Sequence, residues 1–290
     1  MHPGSEPIVV IGESLVDVIV ASDHHTTEAP GGSPANVAVG LGRLGWDVTL
    51  VTHLGDDRYG DLIANHLADA GVHVVRAGSG PTSSATAQLG AHGSAEYAFD
   101  VTWDVELPDL TARHVHAGSL GAFLAPGAAR VREAVQTRGA GISFSFDPNC
   151  RPELMGDPST ARTTIEEWVA LADIVKVSEE DLRWLYASED PAEVASTWAR
   201  RQKLVVLTRG AQGASAWAGA LRYDAPAFEV DVVDTVGGGD AFMAALLDAL
   251  FSGGSVDEAL TTACAAAAIT VSRRGANPAR RDELNRLLGR

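Results

Sequence analysis

Lysine is nearly absent from this 290-residue chain: of 22 basic residues, only Lys176 and Lys203 are lysine. Neither follows a glycine, which excludes the Gly-x-x-x-x-Gly-Lys-Ser/Thr phosphate loop. The protein-kinase set, a strand lysine together with His-Arg-Asp, is missing as well. Positive charge is scarce overall. The net charge is −16 and the isoelectric point about 4.8, so the surface repels polyphosphate and anionic lipid, and no nucleic-acid or membrane partner is expected. Cysteine is scarce too. Cys150 and Cys264 allow one bridge at most, which excludes a disulfide framework and points to a reducing compartment. No stretch reaches 18 consecutive apolar residues, and the N-terminus lacks the basic and apolar regions of a signal peptide. A cytoplasmic protein is the expectation.

What is present is a globular composition, 46% hydrophobic and 21% charged, long enough for a sizeable core. Residues 8–11 are an unbroken apolar run of the buried-strand type. Ser33-Pro34 reads as the N-cap and first position of a helix that Gly45 ends. Strands are expected at 48–51, 115–117, 142–146, 174–177 and 204–207. Helices are expected around 62–70, 127–137, 160–171, 179–186, 192–201, 239–251, 256–271 and 282–288. This alternation predicts an α/β fold with a doubly wound, mostly parallel sheet flanked by helices. Residues 82–101 differ, alternating loosely with Gly90 and Gly93 as turns, and read as exposed antiparallel strands. No linker or repeat divides the chain. We therefore expect a single domain, 1–290, with segments 16–30 and 82–104 inserted as a small β lid.

Three segments carry chemistry. Asp234-Thr235-Val236-Gly237-Gly238-Gly239-Asp240 runs three glycines into an apolar helix. Glycines let backbone N–H groups crowd an anion, and the helix N-terminus adds about half a positive charge. This is an anion cradle made without lysine, and Asp240 in the first turn is placed to act as a general base. Gly31-Gly32-Ser33-Pro34-Ala35-Asn36 opens another helix. Asp147-Pro148-Asn149-Cys150-Arg151 follows a strand, where doubly wound folds bind ligands. Two partial nucleophile elbows, at Gly31-Gly32-Ser33-Pro34-Ala35 and Ala117-Gly118-Ser119-Leu120-Gly121, each have one end wrong. Gly12-Glu13-Ser14 lacks the second glycine of a dinucleotide fingerprint. His114 and His116 share a strand face without a third ligand at suitable spacing, and are read as core residues.

Together these segments resemble the ribokinase-like (PfkB) family of sugar kinases, over nearly the whole chain and in the family's order. Residues 31–45 resemble its first signature and 234–242 its second, usually Asp-Thr-Thr-Gly-Ala-Gly-Asp. Gly12-Glu13-Ser14-Leu15-Val16-Asp17, residues 147–151 and Lys176-Val177-Ser178-Glu179-Glu180 resemble its fructokinase-like branch. The resemblance implies transfer of the γ-phosphate of ATP to a sugar hydroxyl, with Asp240 as catalytic base and the N–H groups of Gly237, Gly238, Gly239 and Asp240 as the anion hole. It places sugar contacts at Asp17, Gly32, Ser33, Asn36, Asn149 and Arg151, and nucleotide contacts at Lys176, Ser178, Thr208, Gly210, Gly213 and Asn277. It implies Mg²⁺, held through water by Asp181, and a monovalent cation such as K⁺ at Asp234 with backbone of Val236 and Gly275. Two lids of this family often pair, so a homodimer through the lid is a further expectation.

Three departures stand out. Gly238 replaces the usual alanine. The family's Asn-x-x-Glu appears as Ser178-Glu179-Glu180-Asp181, one methylene shorter at its acid. The lid carries Glu96-Tyr97-Ala98-Phe99 in place of an arginine–aromatic run. Fructose is the expected sugar. The alternatives are another sugar, such as 2-keto-3-deoxygluconate, or a non-catalytic sugar- or nucleotide-binding regulator.

Overall fold

The structure, a computed structural model, describes residues 7–20, 25–89, 95–109, 111–200 and 203–290. Gly90 and Gly93, read above as turns, lie outside the described residues.

The strands in chain order are β1 (Ile8–Ile11), β2 (Leu15–Val20), β3 (Thr26–Gly31), β4 (Val48–Thr52), β5 (Val72–Arg76), β6 (Ser84–Leu89), β7 (Ala95–Asp100), β8 (His114–Gly118), β9 (Ser143–Asp147), β10 (Ile174–Ser178), β11 (Leu204–Thr208), β12 (Ala214–Ala218) and β13 (Leu221–Ala225). The helices are α1 (Ser33–Arg43), α2 (Arg58–Asp69), α3 (Gly127–Gln136), α4 (Pro152–Met155), α5 (Pro158–Leu171), α6 (Glu179–Leu185), α7 (Pro191–Ala199), α8 (Gly238–Phe251), α9 (Val256–Val271) and α10 (Arg281–Leu288).

Nine strands form one sheet in the order β13-β12-β11-β10-β9-β8-β1-β4-β5. The seven from β11 to β5 are parallel, and the hairpin β12–β13 closes one edge antiparallel to β11. The chain leaves β1 toward β4 and β5, then returns on the other side of β1 with β8, β9, β10 and β11. The order therefore reverses between β1 and β8, where a doubly wound sheet opens its binding crevice.

Strand alternation splits the core into two layers. Ile8 and Val10 of β1 join Val37, Leu41, Leu246 and Leu260 beneath α1, α8 and α9. Val9 and Ile11 join Phe144, Phe146, Ile165 and Trp168 beneath α3 and α5. The alanines of α9 are buried, and Gly40 of α1 has no room for a Cβ beside Ala244 of α8, so these helices pack at small-residue distance. A second sheet, β3-β2-β6-β7, comes from the segments expected to form the lid. β6 and β7 pair antiparallel, as read from the sequence, while β2 pairs with β6 in parallel.

Two local expectations need correction. The N-cap of α1 is Gly32, at φ 101°, and no side chain caps it, because the Ser33 hydroxyl donates to a residue 207 positions away. β5, β12 and β13 were not foreseen from the periodicity. β12 and β13 are a short edge hairpin, one strand of which is half exposed, so hydrophobic runs do not reveal them.

The far half of α8 is anchored as firmly as its start. Asp248 is 1% exposed and accepts from Trp46 Nε1 at 2.8 Å and from both terminal nitrogens of Arg281 at 2.5 and 2.7 Å. Breaking a buried ion pair by removing one partner costs about 3–5 kcal/mol, and the partial exposure of Arg281 reduces this. Asp248→Ala is expected to lose about 2–3 kcal/mol of unfolding free energy, read from urea denaturation. A change within 0.5 kcal/mol would remove Asp248 from the supports of α8.

Candidate active site

The site lies where the carboxyl ends of β1, β8, β9 and β10 meet the N-termini of α1 and α8. Gly237 caps α8 in a left-handed conformation at φ 74°, and a Cβ there would meet Ala276 at 2.6 Å. The turn so formed leaves the N–H groups of the first helical residues without intrahelical acceptors. A Cβ on Gly238 would lie 2.8 Å from Val271 Cγ1, which gives the departure from the family's alanine a steric reason.

Asp240, 8% exposed, is held by both carboxylate oxygens. Ser33 Oγ donates to Oδ1 at 2.6 Å and Asn36 Nδ2 donates to Oδ2 at 2.8 Å. Both donors stand on the first turn of α1, more than 200 residues away in sequence. The two signatures thus meet at one carboxylate. Together the two hydrogen bonds fix the rotamer of this side chain.

Beneath the glycine turn lies a buried charge pair. Lys176 Nζ donates to Asp147 Oδ2 at 2.8 Å, with the two residues 4% and 1% exposed. A Cβ on Gly239 would sit 2.9 Å from Lys176 Nζ, so the ammonium lies directly under the anion cradle. Burial pushes Asp147 up to about 6, opposed by Lys176. Burial alone would lower Lys176, but the Asp147 carboxylate offsets this and holds the ammonium above its ordinary value. Both groups are therefore charged at neutral pH. Asp147 Oδ1 is buried without a hydrogen-bond partner among the described residues.

Asp181 is engaged at both oxygens. It accepts from Cys150 N–H at 2.8 Å, and from the Ser178 N–H and hydroxyl at 3.1 and 2.7 Å. It closes the capping box of α6 and ties that helix to the Asn149–Arg151 turn. Ser178 is the register partner of Thr208 on β11, so two expected nucleotide contacts stand side by side. Gly210 and Gly213 both have positive φ in the tight connection to β12. Asp234 joins Val236 and Gly275 by accepting from their N–H groups at 3.1 and 2.8 Å. Asn277 accepts from the Arg43 guanidinium at its amide oxygen, 2.5 Å away.

Asp17 is half buried on β2, with its carboxyl against the backbone of Gly31; burial raises it and Arg151 opposes the shift. Arg151 is exposed and folds its guanidinium onto Asn149 Oδ1 and the Cys150 carbonyl, both at 2.9 Å. The Cys150 thiol is buried and pushed up by burial, the profile of an inert thiol. His114 and His116 share the hydroxyl of Ser145 at 2.7 and 2.9 Å. Burial and then Lys176 push His116 down to about 3, so it stays neutral. No group of three metal-ligating side chains occurs among the described residues.

A buried carboxylate beside a glycine turn at a helix N-terminus, on this sheet order, leaves the family to be decided by comparison. The pfkB family carbohydrate kinase model matches residues 5–282. The chain belongs to the pfkB family of carbohydrate kinases. It is thus a phosphotransferase acting on a sugar hydroxyl. Fructokinase-1 of Oryza sativa subsp. japonica is 35% identical over 305 residues, covering 94% of each chain. The fructokinase of Vibrio cholerae O395, solved with fructose, ADP and calcium, is 28% identical at a TM-score of 0.83, over 97% of this chain and 96% of that one. The aminoimidazole riboside kinase of Salmonella enterica, solved with aminoimidazole riboside and an ATP analogue, is 27% identical at a TM-score of 0.84, over 98% of this chain and all of that one. The fold is ribokinase-like.

Sequence reasoning assigned no part to Asp147 in particular, nor to Glu13, which is 2% exposed at the end of β1. An acid closing an apolar strand run, and another opening a link between strands, were the available signals. Lys176→Met would leave the Asp147 carboxylate buried and unpaired, at a cost of about 3–5 kcal/mol. The expected urea unfolding curve shifts by that amount at pH 8. A shift below 1 kcal/mol would show that the pair contributes little to the fold.

Proposed function

We propose that this kinase phosphorylates fructose, using ATP as donor. The observation that carries the reading is the Asp240 carboxylate, gripped by Ser33 and Asn36 at the mouth of the glycine cradle. The sugar hydroxyl gives its proton to Asp240 as its oxygen attacks the γ-phosphorus. The N–H groups of Gly237, Gly238, Gly239 and Asp240, with the α8 dipole, take up the charge that spreads over the phosphoryl oxygens. Lys176 adds a positive charge from below, fixed in place by Asp147.

The sugar lies among Asp17, Gly32, Ser33, Asn36, Asn149 and Arg151. A carboxylate accepts from two hydroxyls and an amide both donates and accepts, which suits a polyol. Arg151 turns from its own loop toward the substrate. ATP lies along Lys176, Ser178, Thr208, Gly210, Gly213 and Asn277. Mg²⁺, when bound, supplies charge neutralisation across the phosphates. Carboxylates at the strand ends suit it: Asp181 through water, and Asp147 with its unpartnered Oδ1. Asp234, Val236 and Gly275 are where we place a monovalent cation such as K⁺. A pairing of two copies through the small sheet, where Ile19 is 44% exposed, belongs to the same reading.

Asp240→Asn is expected to lower kcat by about 10²–10⁴ while leaving ATP affinity within threefold. Turnover near the wild-type rate would remove Asp240 as the base. A coupled ADP-release assay over fructose, ribose, 2-keto-3-deoxygluconate and adenosine tests the sugar, with fructose expected to give the highest kcat/KM. A clear preference for another member of the panel would overturn fructose and leave the kinase chemistry standing.

A further inference from the structure

Glu13 sits in the three-residue link, 12–14, between β1 of the large sheet and β2 of the small one. A 2% exposed carboxyl at such a junction needs partners, and it has them. Oε2 accepts the Gly121 N–H at 2.8 Å, and the neighbouring Ser119 hydroxyl favours the charged form of the carboxyl. Both belong to the short 3₁₀ turn Ser119–Ala122 that follows β8, across the point where strand order reverses. Ser119 is held at φ 48°, a left-handed conformation that a non-glycine residue adopts only under constraint.

The other side of Gly121 is taken as well. Its carbonyl accepts Trp103 Nε1 at 2.9 Å, and Trp103 lies just beyond β7, where the chain leaves the small sheet. The return link from β3 to α1 passes the same place: a Cβ on Gly32 would lie 2.6 Å from the Glu13 carbonyl oxygen. Three of the chain's passages between the sheets therefore converge on one carboxyl and the turn it holds.

We propose that Glu13 is a positioning residue of the sugar site, locking the small sheet to the large one so that Asp17 and Gly32 face the acceptor. This rests on the sugar-kinase reading only for its effect on substrate. The lock itself is a property of the fold. Around the Glu13 carboxyl the loop after β9 contributes Arg151 as the charged group, the turn after β8 contributes the Ser119 hydroxyl and Gly121 N–H, and the entry to α1 contributes uncharged backbone. Burial raises Glu13 to about 7, against the lowering by Ser119, the backbone N–H groups and Arg151.

Glu13→Gln keeps the size and removes the charge. With the panel sugar that the wild type turns over fastest, the sugar KM should rise about tenfold while kcat and the ATP KM stay within threefold. Amide hydrogen exchange needs no substrate: β2 and β3 should exchange at least tenfold faster in Glu13→Gln, with α9 unchanged. Unchanged exchange in β2 and β3 overturns the lock whatever the sugar. Faster exchange with an unchanged sugar KM overturns its bearing on the site. If no panel sugar turns over, the substrate reading fails and exchange alone decides the lock. Ser119→Ala removes the hydroxyl beside the same carboxyl and should shift exchange about threefold in the same direction, which keeps the test open if Glu13→Gln does not fold.

Discussion

The contact on which the arrangement of this site depends is the grip of Ser33 and Asn36 on Asp240. It joins the first turns of two helices whose sequences lie more than 200 residues apart. α1 and α8 can make it because they pack at small-residue distance, Gly40 against Ala244. Farther along, Asp248 of α8 is held by Trp46, just past α1, and by Arg281 of α10. The Asp240 carboxylate is therefore set by the packing of α1 on α8, to the tolerance that the proposed proton transfer needs.

A net charge of −16 would ordinarily work against binding a nucleotide. The structure answers this locally. The cradle uses uncharged N–H groups at the start of α8, and the one lysine near it is buried and bound to Asp147. Nearby His116 is kept neutral by burial and by that lysine. The start of α8 is thus positive by dipole and by one fixed ammonium, while the chain as a whole stays acidic. A buried ion pair is weak evidence for stability. Here it sits under Gly239, where a Cβ would meet the ammonium.

The alternation of short apolar runs with amphipathic stretches made the parallel sheet and most helices legible, with α9 read to the residue. Glycines at 31–32 and 237–239, each followed by polar residues and a helix, marked both halves of the site. Other features were not legible. Ser33 looks like an N-cap because serine before a helical run so often is one, and a hydroxyl's partner depends on what packs above it. The edge strand β13 is mostly exposed and leaves no hydrophobic pattern.

By itself the sequence determined the class of fold, the family and the chemistry offered: an anion cradle without lysine, a carboxylate in its first turn, and strands ending in polar residues. These follow from properties local to a few residues, namely helix period, glycine's freedom and the charge of a side chain. Tertiary structure decided which of those residues meet. It turned a cap into a clamp on the base, put Lys176 under the cradle, and gathered the passages between two sheets around Glu13. Such outcomes depend on contacts between distant segments, and a hydrogen bond's partner is settled by packing that no local pattern encodes.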